Sequence, residues 1–80
     1  MSTANVSRSA TRYGAVTPSD STALEFKRLY VGGVGNVVVK ASIDGSAVTF
    51  AAVPAGTQLE VAGVRVMAAT TATNIVWMDW

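Results

Sequence analysis

The stretch "RLYVGGVGNVVVK", Arg28–Lys40, carries the strongest structural signal in the sequence. Its first residues alternate between polar and apolar side chains, and Val37–Val39 is a β-branched run, so both halves predict β-strands. Glycine tolerates positive φ, and the glycines between the two halves therefore favour a hairpin connection. We expect two strands joined by a glycine turn.

Two nucleotide-related interpretations of this stretch fail on its surroundings. Leu29-Tyr30-Val31-Gly32 resembles the first strand of an RNA-recognition module, whose strand aromatics stack on bases. That module needs a helix directly afterwards and a second, aromatic-rich strand. Here "GGVGNVVVK" opposes a helix, and the nearest counterpart, "VAGVRVMA", has no aromatic residue. A phosphate-binding loop would end in Gly-Lys-Ser/Thr and open a helix, and neither feature is present.

The sequence around this stretch continues the β pattern. Asp44-Gly45 favours a tight type I′ hairpin. Val53–Gly56 has proline second and glycine fourth, as a type I turn prefers. Short alternating runs recur about every 8 to 12 residues, the spacing of a small sandwich or barrel. We predict an all-β domain over residues 23–80, a small antiparallel β-sandwich or barrel of about six short strands.

Composition predicts that this domain is covered by other chains. The chain has 80 residues, 50% of them hydrophobic and 14% charged, against a usual charged share of roughly 25%. So small a domain buries only about 60% of its unfolded surface, which makes its stability marginal. Cysteine and histidine are both absent, which excludes disulfides and Cys- or His-based metal sites. A tight core or burial against other chains remains as the source of stability, and the apolar, charge-poor composition favours the second.

The same composition disfavours several function classes. A net charge of +1 gives no basic patch for DNA or RNA. No apolar run approaches the ~18 residues of a membrane span. The start, "MSTANVSRSATRYG", lacks the apolar stretch of a secretory signal, so we expect synthesis in the cytoplasm. Nucleophile–base pairs that use His or Cys are excluded, and the five acidic residues are scattered with nothing to indicate a paired-carboxylate site, so we expect no enzyme, catalytic residue or cofactor.

Residues 1–22 differ from the rest and predict an extended N-terminal arm. They are dominated by Ser, Thr, Ala and Asn and show no sustained period. Chain ends become ordered only when something holds them, so we expect the arm to lie along a neighbouring subunit. Tyr13 and Val16 are the predicted anchors, and Arg8 and Arg12 are available for carboxylates. The alternative is that the arm packs on its own domain.

Trp77 and Trp80 are the remaining candidates for a functional site. Exposed aromatic residues can stack on a sugar, whereas tryptophan is also enriched in cores and at subunit contacts. Alternation places the two tryptophans on opposite faces of the last strand, so they do not form one platform. We therefore favour a core role for one and a subunit contact for the other.

Three segments carry a family resemblance: "RLYVGGVGNVVV", "VTFAAVPAGTQLEV" and "RVMAATTATNIVW". Together they resemble the small head-spike-base and capsid decoration proteins of tailed phages and gene transfer agents. The match spans roughly Arg28 to Val76. The shared motifs fall on Tyr30-Val31-Gly32, Gly35-Asn36-Val37, Val53–Thr57, Arg65-Val66 and Thr70–Val76. The ending "WMDW" departs from the shorter aliphatic-aromatic ending of the family.

The resemblance implies a virion structural protein on the phage capsid surface: a head decoration, cement or spike-base subunit. It implies the major capsid protein and sister copies as partners, in a trimer or pentamer, with a head fibre or spike protein as a further partner. No nucleic acid and no membrane are expected. The alternative is a carbohydrate- or receptor-binding module at a virion tip that uses Trp77, Trp80 or Tyr30. A nucleic-acid-binding β-barrel is a third interpretation, which the low net charge disfavours.

Overall fold

The chain forms seven β-strands in two antiparallel sheets, in a computed structural model that describes residues 9–80. There is no helix in this range. The all-β prediction is confirmed, as a two-sheet domain that is not a closed barrel. One strand more than expected is present. The strands are β1 Arg12–Ala15, β2 Arg28–Gly33, β3 Gly35–Lys40, β4 Ala47–Val53, β5 Thr57–Leu59, β6 Arg65–Val66 and β7 Thr73–Asp79.

The core lies between the two sheets. One sheet has the order β1-β7-β2-β5 and the other β4-β3-β6. Alternate residues of β2 and β7 point inwards from the first sheet, and alternate residues of β3, with the ends of β4 and β6, point inwards from the second. The buried cluster comprises Phe26, Leu29, Val31, Val37, Val39, Val53, Val66, Ala72 and Ile75.

The Arg28–Lys40 stretch forms two strands, as predicted, but not a hairpin. β2 and β3 belong to different sheets, so the chain crosses from one layer to the other at Val34. The glycines are required by close packing. A Cβ on Gly33 would lie 1.9 Å from Thr73 Oγ1, and one on Gly35 would lie 2.5 Å from the backbone nitrogen of Ala72. The hairpin prediction was wrong because local sequence does not specify which strands pair.

The predicted hairpin at Asp44-Gly45 does join β3 to β4, which pair antiparallel with Lys40 opposite Ala47. The turn is not type I′, because Gly45 does not have positive φ. The N–H of Gly45 instead donates to the C=O of Ser42, which places glycine fourth in the turn. A turn also follows Val53, but it is not the predicted type I turn: the N–H of Gly56 donates to the C=O of Val31 rather than of Val53, and Gly56 has φ 82°, in the left-handed region that favours glycine.

Phe26 departs from the alternation that the sequence shows. Alternation groups it with Arg28 and Tyr30, yet it is buried with Leu29 in the core. The reason is a change of partner at Lys27: Phe26 pairs with Gly63, whereas Arg28 begins the pairing of β2 with β7. The phase of the side chains therefore shifts between the two pairings.

Part of the predicted arm is a strand of this same domain. β1 pairs with β7, and beyond it the N–H groups of Val16 and Ser19 donate to the C=O groups of Ile75 and Val66. Over residues 12–19 the chain thus packs on itself, the alternative that the sequence left open. The boundary between residues 22 and 23 stays a prediction.

Candidate interaction surface

The outward side of the four-stranded sheet is the candidate interaction surface. The cross-strand register brings its side chains together: Tyr13 lies opposite Met78, which lies opposite Arg28, and Val76 lies opposite Tyr30 in the next row. Tyr13 is 69% exposed and Tyr30 is 38% exposed. We call this set, together with Trp80, the outer sheet face. Its members are Tyr13, Arg28, Tyr30, Val76, Met78 and Trp80.

Residue types on the outer sheet face are those that protein interfaces favour. Tyrosine, tryptophan, methionine and arginine are enriched in interfaces, whereas lysine and the acidic residues are depleted. Arg28 is the one charged member of the outer sheet face. Burying a β-surface of this composition against another protein removes its apolar area from water, which is the main favourable contribution to the free energy of association.

Arg28 and Trp80 form a stacked pair on this surface. The guanidinium carbon of Arg28 lies 5.1 Å from the centroid of the Trp80 ring, within cation–π range. Arg28 Nη1 also donates to Gln58 Oε1 at 3.4 Å, and its buried Nε has no partner within residues 9–80. The stack covers one side of the Trp80 ring, which reduces the aromatic area available to a sugar.

Trp77 belongs to the opposite side of β7 and packs against the core. Its neighbours across the sheet are Gly14 and Leu29. A Cβ on Gly14 would lie 2.9 Å from Trp77 Nε1, so the glycine leaves room for the indole between β1 and the core. The two tryptophans therefore lie on opposite faces, as alternation predicts.

Asp79 anchors the start of β1 and the end of β7. Its carboxylate is buried and accepts hydrogen bonds from Lys27 Nζ and from the backbone N–H of Trp80, both at 2.8 Å. Arg12 Nη2 donates a hydrogen bond to the other carboxylate oxygen. The hydrogen bond from Lys27, followed by the one from the Trp80 backbone, holds the pKa of Asp79 below its usual value, although burial acts in the opposite direction. This ion cluster fixes β1 against β7 and so fixes Tyr13 on the outer sheet face.

The structure places the predicted site residues in three environments. Tyr13 and Trp80 are on the outer sheet face, whereas Val16 and Trp77 pack against the core and Arg12 bonds to Asp79 of its own chain. Arg8 lies outside the described residues. Sequence reasoning did not single out Arg28, Val76 or Met78 as site residues. Strand alternation contains the signal for them, but only the register between β1, β7 and β2 brings them into one surface.

Residues 9–80 hold no group of three or more acidic, His or Cys residues positioned to share a metal ion. They also include no helix of the length and hydrophobicity that crossing a membrane requires.

Comparison with known proteins identifies one informative solved structure. It is described as "Capsid of native GTA particle computed with C5 symmetry", where GTA denotes a gene transfer agent. A chain of that particle is 38% identical to this one, with a TM-score of 0.78, and the alignment covers 94% of this chain and 92% of that chain. No protein-family model and no curated protein matches the sequence.

Proposed function

The chain belongs to the capsid-related protein family of phages and gene transfer agents, and from this membership we propose that it is a head decoration, cement or spike-base subunit on the capsid surface. The similarity supports a structural protein of a capsid particle. The observation that supports a place on the capsid surface is the outer sheet face, on which Tyr13 and Tyr30 are left exposed to water in the single chain.

The outer sheet face is the proposed contact with the shell, formed by the major capsid protein. Tyr13, Tyr30 and Trp80 supply large, rigid aromatic area at a small cost in conformational entropy. Arg28 is already held by Trp80 and Gln58, so it loses little further freedom when a partner covers it. The segment before β1 is the proposed hook, with Arg8 available for a carboxylate of the shell.

We propose a closed symmetric ring for the assembled state. Sequence considerations leave trimer and pentamer open, since capsids offer positions of both orders. The related capsid structure was computed with C5 symmetry, and a pentamer is the ring that would fit a fivefold axis. A head fibre or spike protein seated on such a ring would be a further partner.

Reconstitution on particles that lack this chain tests the proposal. Purified protein is added to such particles, the particles are sedimented, and the bound fraction is measured as a function of protein concentration. We expect saturable binding, and we expect Tyr30→Asp to weaken it about tenfold or more, as for an interface hot spot. Val34→Asp is the matched control, because Val34 is 68% exposed but lies in the crossover between the sheets. Its binding should equal that of the unaltered chain.

Two results would contradict the proposal. Failure of the unaltered chain to bind would exclude a shell-surface role, and equal losses in Tyr30→Asp and Val34→Asp would exclude the outer sheet face as the contact. The arm is tested separately by deleting residues 1–11, which leaves β1 intact, whereas deletion through residue 22 would also remove β1. Unchanged binding after the shorter deletion would refute the hook.

A further inference from the structure

Strand β4 has a free edge that differs from every other sheet edge in residues 9–80. The edge of β6 is covered, because Ser19 donates to Val66 and Asp20 accepts from the N–H of Ala68, both at 2.9 Å. The edge of β1 carries Arg12, and β5 is only three residues long. β4 is seven residues long and uncharged, within the charge-free segment Gly45–Leu59.

The hydrogen-bond pattern of β3 shows which β4 groups face outwards. The C=O groups of Val38 and Lys40 accept from Met67 and Val64, so these two residues direct their backbone towards β6. Val37 and Val39 therefore direct theirs towards Phe50 and Val48, their partners on β4. It follows that the backbone groups of Ala47, Thr49 and Ala51 point to the free edge.

Side chains next to this edge are also left open. Val48 is 55% exposed, although its neighbour Phe50 on the same face packs against the core. The two line a groove of about 350 Å³. Its remaining lining residues are Val39, Ala41, Val61 and Ala62. A long, uncharged edge beside an apolar groove can form backbone hydrogen bonds with another strand and bury apolar side chains against it.

We propose that free copies of this chain form a dimer through β4. The two β4 strands pair antiparallel about a two-fold axis at Thr49. In that register Thr49 lies opposite Thr49 of the second copy, and Ala47 lies opposite Ala51. All of these residues direct their backbone outwards, so the edge is complementary to itself. Val48 then lies opposite Phe50 of the second copy, an aromatic–β-branched pair that closes the groove. The two three-stranded sheets become one continuous sheet.

A second copy fits this edge better than a charged partner would, because the whole Gly45–Leu59 segment lacks charge and an identical segment matches it. The pairing is also finite. Each chain has one such edge within residues 9–80, so two copies satisfy each other and leave no further uncharged edge of this length. A bulge ends the register after Ala51: Ala52 has φ 55° and its N–H donates to Asn36 Oδ1 at 3.0 Å.

A single-cysteine variant tests this geometry directly. The chain contains no cysteine, so Thr49→Cys carries one thiol that faces its own copy at a Cα separation of about 5.5 Å, within the range that a disulfide spans. We expect mild oxidation to give a reducible product of twice the 8.3 kDa chain mass. Gln58→Cys, on the β5 edge, is the matched control and should remain uncross-linked at the same concentration. No product from Thr49→Cys, or equal products from both variants, would overturn the proposal.

Sedimentation of the unoxidised protein gives a second readout. Thr49→Lys places like charges opposite each other, and we expect it to weaken the dimer at least about fivefold at low salt, with partial recovery when salt screens the charges. Thr49→Val should dimerise like the unaltered chain. An oligomer whose mass Thr49→Lys leaves unchanged would place the contact elsewhere. The pairing concerns the free chain, so binding to the capsid can succeed or fail independently of it.

Discussion

Replacing each tryptophan by alanine should separate the core from the interaction surface. Trp77 packs against the core between Gly14 and Leu29, so Trp77→Ala leaves a cavity inside the domain. Fully buried tryptophans cost about 3–5 kcal/mol on truncation, and because Trp77 is half-buried we expect about 2–3 kcal/mol. Trp80 is also half-buried but does not pack against the core, and Trp80→Ala removes mainly its cation–π contact with Arg28, which contributes only about 0.5–1 kcal/mol.

The difference should be large compared with the stability of the domain. A chain of this length is expected to have about 4–12 kcal/mol of stability, so Trp77→Ala removes a substantial fraction of it. Each kcal/mol shifts the Tm of so small a domain by about 4–8 °C. We expect a Tm loss of about 10–20 °C for Trp77→Ala and of a few degrees for Trp80→Ala.

Thermal and urea denaturation followed by circular dichroism measure this difference, with capsid binding measured in parallel. Trp80→Ala should reduce capsid binding while it retains the fold, because Trp80 is on the outer sheet face. Equal destabilisation by the two substitutions would refute the assignment of Trp77 to the core. Full capsid binding by Trp80→Ala would refute the assignment of Trp80 to the contact.

Two further predictions follow from the attachment of β1 to β7. Gly14→Val should crowd the Trp77 indole and lower the free energy of unfolding, measured by urea denaturation, by about 1–3 kcal/mol. Ala15→Val, on the exposed side of the same strand, is the control and should be near neutral. Equal effects of the two substitutions would contradict the packing of β1 on its own chain. The lowered pKa of Asp79 contributes stability above the unfolded-state pKa, which is lost as pH falls through the folded-state pKa. Tm should therefore fall on acidification below about pH 4. This fall should be smaller in Asp79→Asn. An identical dependence of Tm on pH in the two chains would contradict the role of the ion cluster.

Local pattern was sufficient to predict the fold class and several strand faces. Alternation along β7 correctly placed Trp77 and Trp80 on opposite faces. It did not predict that β2 and β3 lie in different sheets, because the crossover at Gly33 and Gly35 depends on the approach of the Ala72–Thr73 backbone.

Sequence reasoning also missed β1, because "RYGA" has no apolar period. Its strand forms through partners far along the chain: Gly14 accommodates Trp77, and Arg12 bonds to Asp79. For the same reason only Tyr13, Tyr30 and Trp80 of the outer sheet face were named in advance as candidates for binding. The other members enter the surface through register, which is a tertiary property.

Electron cryomicroscopy of particles with and without this chain tests the central claim most directly. The account predicts an additional density on the outside of the shell at a symmetry axis, into which the two-sheet domain fits with its outer sheet face towards the major capsid protein. That density should be absent from particles that lack the chain. A density inside the shell, or identical maps for the two kinds of particle, would contradict the proposed role.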